Sequence, residues 1–128
     1  MNTEIEKFNA QQTDEDQLIC KLLMDQINSR LTKSESKIWH GSPVWFIDGN
    51  PIVGYSKLKN GIQLLFWSGA SFEENLNPVG KYKAAEARYT AVAQVNIDDL
   101  TRWLDKSKNI QWDYKNLVKR QGTLERLK

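Results

Sequence analysis

Two apolar runs, residues 52–59 and 62–68, flank the dipeptide Asn60-Gly61. That pair is the preferred centre of a two-residue type I′ turn, because both central positions need positive φ. A chain that carries it between β-patterned runs contains an antiparallel hairpin, and the rest of the molecule has to pack on that hairpin. The same pattern extends upstream. Residues 37–40 read as a short strand broken by Gly41-Ser42-Pro43, and Val44-Trp45-Phe46-Ile47 is a β-branched and aromatic strand. Asp48-Gly49-Asn50-Pro51 is a turn by composition. A turn centred on Asn60-Gly61 places Lys59 opposite Ile62, hence Tyr55 opposite Phe66 and Gly54 opposite Trp67. A turn over 48–51 places Ile47 opposite Ile52, Phe46 opposite Val53 and Trp45 opposite Gly54. One face of the sheet then carries Val44, Phe46, Val53, Tyr55, Leu64 and Phe66, and the other Trp45, Ile47, Ile52, Leu65 and Trp67. Antiparallel sheets commonly leave one side wet, so two apolar faces are unusual.

Helices bracket these strands. Thr13 suits an N-cap, Asp14, Glu15 and Asp16 suit the positive end of a helix dipole, and Leu18, Ile19, Leu22, Leu23, Ile27 and Leu31 recur at helical spacing. Residues 71–83 are a polar connection containing Asn77-Pro78 and Gly80. Residues 84–95 alternate weakly and read mostly as strand. Asn96 caps a second helix with Ile97, Leu100, Trp103 and Leu104 inside. A third helix is expected over 112–121, stopped by Gly122. The expected fold class is α+β: an antiparallel sheet of four to six strands packed against one N-terminal and two C-terminal helices. Residues 13–122 form the single domain, after a flexible lead-in over 1–12 and before a short tail over 123–128.

Composition limits what such a domain can be. Of 128 residues 40% are hydrophobic, enough for a core, and no apolar run reaches the length of a membrane span. The start, Met1-Asn2-Thr3-Glu4-Ile5-Glu6-Lys7, lacks the basic and apolar stretches of a signal peptide, so a cytoplasmic protein is expected. The single cysteine, Cys20, lies among Leu18, Ile19, Leu22 and Leu23 and reads as a small buried hydrophobe.

Trp39-His40-Gly41-Ser42-Pro43-Val44-Trp45-Phe46 forms a strand, W-x-G-x-P, aromatic-strand pattern. With Pro51-Ile52-Val53-Gly54-Tyr55, Lys59-Asn60-Gly61-Ile62-Gln63-Leu64 and the closing Phe66-Trp67-Ser68-Gly69-Ala70, it resembles the YdhG-like domains, small bacterial proteins mostly of unknown function. The segment Ile110-Gln111-Trp112-Asp113-Tyr114-Lys115-Asn116-Leu117-Val118-Lys119-Arg120 is similar to the terminal helix of one branch of that family. The resemblance covers residues 14–120 and implies the fold. It implies no catalytic set. Some members are described as frataxin-like iron chaperones, and by that analogy Asp14, Glu15 and Asp16, with Asp25 or Glu35, would be the oxygen ligands. Three consecutive acids on a helix point in three directions, however, and this helix lacks a dense acidic ridge.

His40 is the only histidine, so no histidine metal cluster can be assembled, a Ser-His-Asp set would have to use this one residue, and a non-enzymatic domain is expected. In the expected register Trp45, Gly54 and Trp67 form one row, with Trp39 and His40 at its rim. A glycine between two indoles leaves a hollow one side chain deep, so Trp39, His40, Trp45, Gly54 and Trp67 are the candidate ligand-binding residues. Indoles folding over a weak strand glycine inside the core would produce the same pattern. The function expected is a small-ligand binding or carrier domain. The alternative is an interaction module or homodimer using the second apolar face. From Thr101 onward eight basic residues face three acidic ones, but no reading motif accompanies them, which argues against nucleic acid as a partner. No cofactor and no metal site are read from the sequence.

Overall fold

The computed structural model describes residues 2–128. Six strands form a single antiparallel sheet: β1 (Glu35–Trp39), β2 (Ser42–Ile47), β3 (Asn50–Leu58), β4 (Gly61–Phe66), β5 (Asn77–Val79) and β6 (Ala84–Tyr89), in the order β1-β2-β3-β4-β6-β5. Helices α1 (Thr3–Ala10), α2 (Asp14–Arg30) and α3 (Ile97–Asn109) lie against one face. The α+β class and the antiparallel six-stranded sheet agree with expectation. The helices are distributed differently, two before the sheet and one after it.

Residues 2–10, expected as part of a flexible lead-in, are ordered by a cap and two anchors. The Asn2 side chain accepts from the Glu4 and Ile5 amides, at 3.0 and 3.3 Å, and donates to Ser36 O at 2.7 Å. Ile5 is buried, and the Phe8 ring meets Tyr55 edge-on at 6.0 Å. Two apolar residues are too few to show as a period; tertiary packing holds this helix. On α2 the Thr13 hydroxyl accepts from the Asp16 amide at 3.3 Å. The inward stripe is Ile19, Cys20, Leu23 and Ile27, followed by Leu31, while Leu18 is 54% exposed. On α3 the Asn96 carboxamide accepts from the Asp99 amide at 3.0 Å, and Leu100, Trp103 and Leu104 face inward.

No helix forms over 112–121. Gln111 exchanges backbone hydrogen bonds with Leu127 and Lys128, and Asp113 N donates to Glu125 O at 2.7 Å. The buried Asn50 side chain donates to Trp112 O at 2.9 Å and accepts from Lys115 N at 3.0 Å. Buried Asp113 accepts from Asn116 and pairs with Arg120. These partners claim the backbone groups a helix would need, and Val118, at 90% exposure, shows that no apolar stripe rewards one. Strand also stops at Tyr89, where a 3-10 turn over Val92–Gln94 replaces the expected extension to Val95.

The register departs from expectation at both hairpins of β3. Asp48 and Gly49 take φ of +52° and +79°, so the type I′ turn sits there and Ile47 pairs with Asn50. At the second hairpin Leu58 pairs with Gly61, and the turn residues are Lys59 and Asn60, neither with positive φ. Gly61 takes φ +142° instead, and a Cβ there would stand 2.6 Å from Tyr89 O on β6. The glycine therefore serves the close approach of β6. A bulge on β3 follows: Phe46 stands opposite Pro51 and Trp45 opposite Val53, so Ile52 is the extra residue, and the pairing beyond it is offset by one, with Val44 opposite Gly54. A one-residue shift exchanges faces. Trp45 thus joins Val53, Tyr55, Leu64 and Phe66 under the helices, where its indole Nε1 donates to Asn28 Oδ1 at 2.8 Å. Val44 and Phe46 move to the other face, with Leu65 and Trp67.

Candidate functional site

The second sheet face has no helix over it, and its shape comes from β1 to β4. At the β1–β2 turn His40 and Gly41 take φ of +51° and +81°, a second type I′ hairpin, so Trp39 pairs with Ser42. Trp39 on β1 and Trp67 just after β4 are separated by two strands, about 14 Å at ordinary strand spacing. Their ring centroids nevertheless lie 6.1 Å apart, at 41°. Both indoles lean inward over Val44 and Gly54. Phe46 meets Trp39 edge-on at 5.4 Å, and the Lys37 ammonium sits 4.8 Å over the Phe46 ring. The His40 imidazole packs on Trp39 at 4.4 Å.

Under and beside the indole pair is a hollow of about 130 Å³. Trp39, His40, Gly54 and Trp67 all border it, together with Ser42, Pro43, Val44, Ser56 and Leu65. Four of the five residues singled out in the sequence are thus brought together. The fifth, Trp45, is not. It is 1% exposed on the opposite face, packed on Tyr55 at 5.8 Å, and the expected row of Trp45, Gly54 and Trp67 does not exist. The row through Gly54 runs instead from Lys37 through Val44, Gly54 and Leu65 to Glu86.

Gly54 has a steric reason to be glycine. A Cβ there would stand 2.5 Å from Pro43 O and 3.1 Å from Val44 Cγ2. The polar part of the hollow escaped sequence reasoning: Gly41-Ser42-Pro43 reads as a break, and only the observed register brings Ser42 opposite Ser56. There the Ser56 hydroxyl donates to Ser42 Oγ at 2.9 Å, which leaves the Ser42 proton free to donate onward. The next positions on this row are Gln63 and Arg88. Both bond the buried Glu86 carboxylate, Gln63 Nε2 at 2.6 Å and Arg88 Nε at 2.6 Å. Burial alone would raise the Glu86 pKa, but these bonds outweigh it and hold the carboxyl below its usual value.

The acids offered by the iron analogy are engaged elsewhere. Buried Asp16 pairs with Lys57 Nζ at 2.7 Å, Glu15 accepts from the Val92 amide at 2.8 Å, and Asp25 pairs with Lys21 at 2.9 Å. Asp14 and Glu35 are exposed. Among the described residues no three His, Cys, Asp or Glu side chains gather to hold a metal ion. Of the eight basic residues from Thr101 onward, four are paired within the molecule: Arg102 and Lys106 on Glu74, Lys108 on Asp105, and Arg120 on Asp113 and Glu125. None of the described helices is long and apolar enough to cross a membrane.

No family profile and no curated protein matches the sequence. Among solved structures, the fold is similar to that of a DUF1801-family protein, YdhG, from Bacillus subtilis. The TM-score is 0.58 at 10% identity, over 93% of this chain and 92% of that one. At that identity the likeness is one of fold, and it agrees with the YdhG-like architecture the sequence resembles.

Proposed function

We propose that the protein is a non-enzymatic binding or carrier domain that takes a small molecule into the hollow over Gly54. The observation that carries this reading is the convergence, on the face without helices, of two inward-leaning indoles, a glycine floor and a linked pair of serine hydroxyls around about 130 Å³ of space. Largely apolar walls with few placed polar groups are the usual make-up of a small-molecule site. Cover of a strand glycine explains why the indoles lean, yet leaves the space beside them unfilled. A protein-docking face would present large apolar side chains outward. The exposed ones among the described residues are Leu18, Ile97, Val118 and Leu127, and none of them borders the hollow. The chemistry for an enzyme is thin there: of the lining residues Tyr55 turns its hydroxyl to Asn9 on the covered side, and the His40 imidazole lies tilted against Trp39 at 4.4 Å.

Tryptophan emission during titration with a broad panel of small metabolites tests the proposal. A saturable change is expected, because Trp39 and Trp67 wall the hollow. Gly54→Leu is a poor control, given the collision with Pro43 O. Ser56→Leu fills the hollow from the side and should abolish the response while circular dichroism stays native. Silence across the panel, or a response that survives Ser56→Leu, would overturn the reading.

A further inference from the structure

The lining of the hollow restricts its ligand by charge, size and anchoring group, a restriction that rests on the binding reading above. No Asp, Glu, Lys or Arg side chain borders it. On the same row of the sheet the Lys37 ammonium sits over the Phe46 ring and the Glu86 carboxylate is held by Gln63 and Arg88. An ionised ligand group entering the hollow would give up water without meeting a counter-charge, which costs far more than an apolar ring does. The two indole faces attract flat, polarisable groups. The volume of about 130 Å³ is close to that of an apolar cavity of about 150 Å³ that accepts one benzene. One polar anchor is present, the Ser56–Ser42 hydroxyl pair at 2.9 Å, and among the described residues the Ser42 hydroxyl donates to no acceptor.

From these features we infer that the ligand is an uncharged single-ring compound carrying one hydrogen-bond acceptor, its ring against Trp39 and Trp67 and its acceptor on Ser42. An aromatic cage for an organic cation would pair the same indoles with a carboxylate, and none borders this site.

Indole N–H resonances in a proton NMR titration separate the alternatives, with nicotinamide and phenol as uncharged probes and benzoate and N-methylpyridinium as charged probes of similar size. Saturable shifts of the Trp39 and Trp67 signals are expected with the uncharged pair, and binding of each charged probe weaker by about tenfold or more. Ser42→Ala/Ser56→Ala removes both members of the hydroxyl pair, so it should keep the fold while weakening nicotinamide by about fivefold. Charged probes that bind as tightly as the uncharged ones overturn the charge restriction, and N-methylpyridinium binding best of all would establish a cation cage instead. Full nicotinamide affinity in the double variant overturns the anchor. If none of the four probes shifts any indole signal, the inferred ligand class falls. The binding reading then stands or falls on the broad metabolite panel.

Discussion

The two faces of the sheet are built from alternate residues of the same strands, yet they do different work. Under the helices Val53, Leu64 and Phe66 have no exposed surface, and the polar groups present are matched one to one: Trp45 with Asn28, Tyr55 with Asn9, Lys57 with Asp16. On the other side Val44, Leu65 and Trp67 are just as apolar, but no helix covers them. The covered face spends its aromatics on filling space. The uncovered one arranges its aromatics around a space left unfilled. Hydrophobicity alone does not tell these uses apart. What separates them is whether another layer completes the packing.

The sharpest way to break this comparison is to truncate neighbours that point in opposite directions. Phe66 packs on Phe72 at 5.5 Å and on Trp103 at 6.2 Å, so Phe66→Ala should cost about 3–5 kcal/mol in urea denaturation. Leu65→Ala, one residue away on the uncovered face, should cost less than about 1.5 kcal/mol. Equal losses would mean that both faces are core. An intermediate effect is expected at Gly54, where the two faces share a backbone. Gly54→Ala puts a Cβ against Pro43 O and should cost about 1–3 kcal/mol, read as a lower Tm. An unchanged Tm would show that β2 moves aside freely.

The smallest effect concerns the seam that holds the covered side shut. Glu74 accepts from Arg102, Lys106 and the Trp103 indole, and these bonds, that of Arg102 foremost, hold its pKa down from 4.5 to about 2. A carboxylate whose folded pKa is depressed contributes its stability in full above the unfolded value and loses it as pH falls toward the folded one. Glu74→Gln should therefore lower Tm at pH 7, and wild type and variant should converge as pH falls from about 4.5 toward 2. A Tm difference that stays constant across that range would remove the seam from the account.

Much of this architecture was legible before any coordinates. Alternating β-branched and aromatic runs placed the strands, Thr13 and Asn96 placed two helix starts, and the crowding of Trp39, His40, Gly54 and Trp67 pointed at the hollow. Trp45 was misplaced for a definite reason. One extra residue on β3, Ile52, leaves no mark in composition, yet it turns the whole of β2 over relative to Val53 and the residues after it. The turn residues misled in a related way, because asparagine and glycine satisfy more than one requirement. Asp48-Gly49 took the type I′ geometry, while Gly61 answered to Tyr89, distant in sequence. Residues 112–122 and α1 were misread because partners elsewhere in the chain decide them: Asn50, Leu127 and Lys128 for the first, Tyr55 and Ser36 for the second.

The lone thiol of Cys20 sits at the centre of the sealed side with no exposed surface, and burial pushes its pKa up to about 12. At neutral pH it is neither reachable nor ionised, so a thiol reagent can react only in moments when α2 lifts from the sheet. The chain thus carries a built-in clock. At reagent concentrations where reaction outpaces reclosing, the rate at which the reagent is consumed is the rate of those openings, with no label added to the protein.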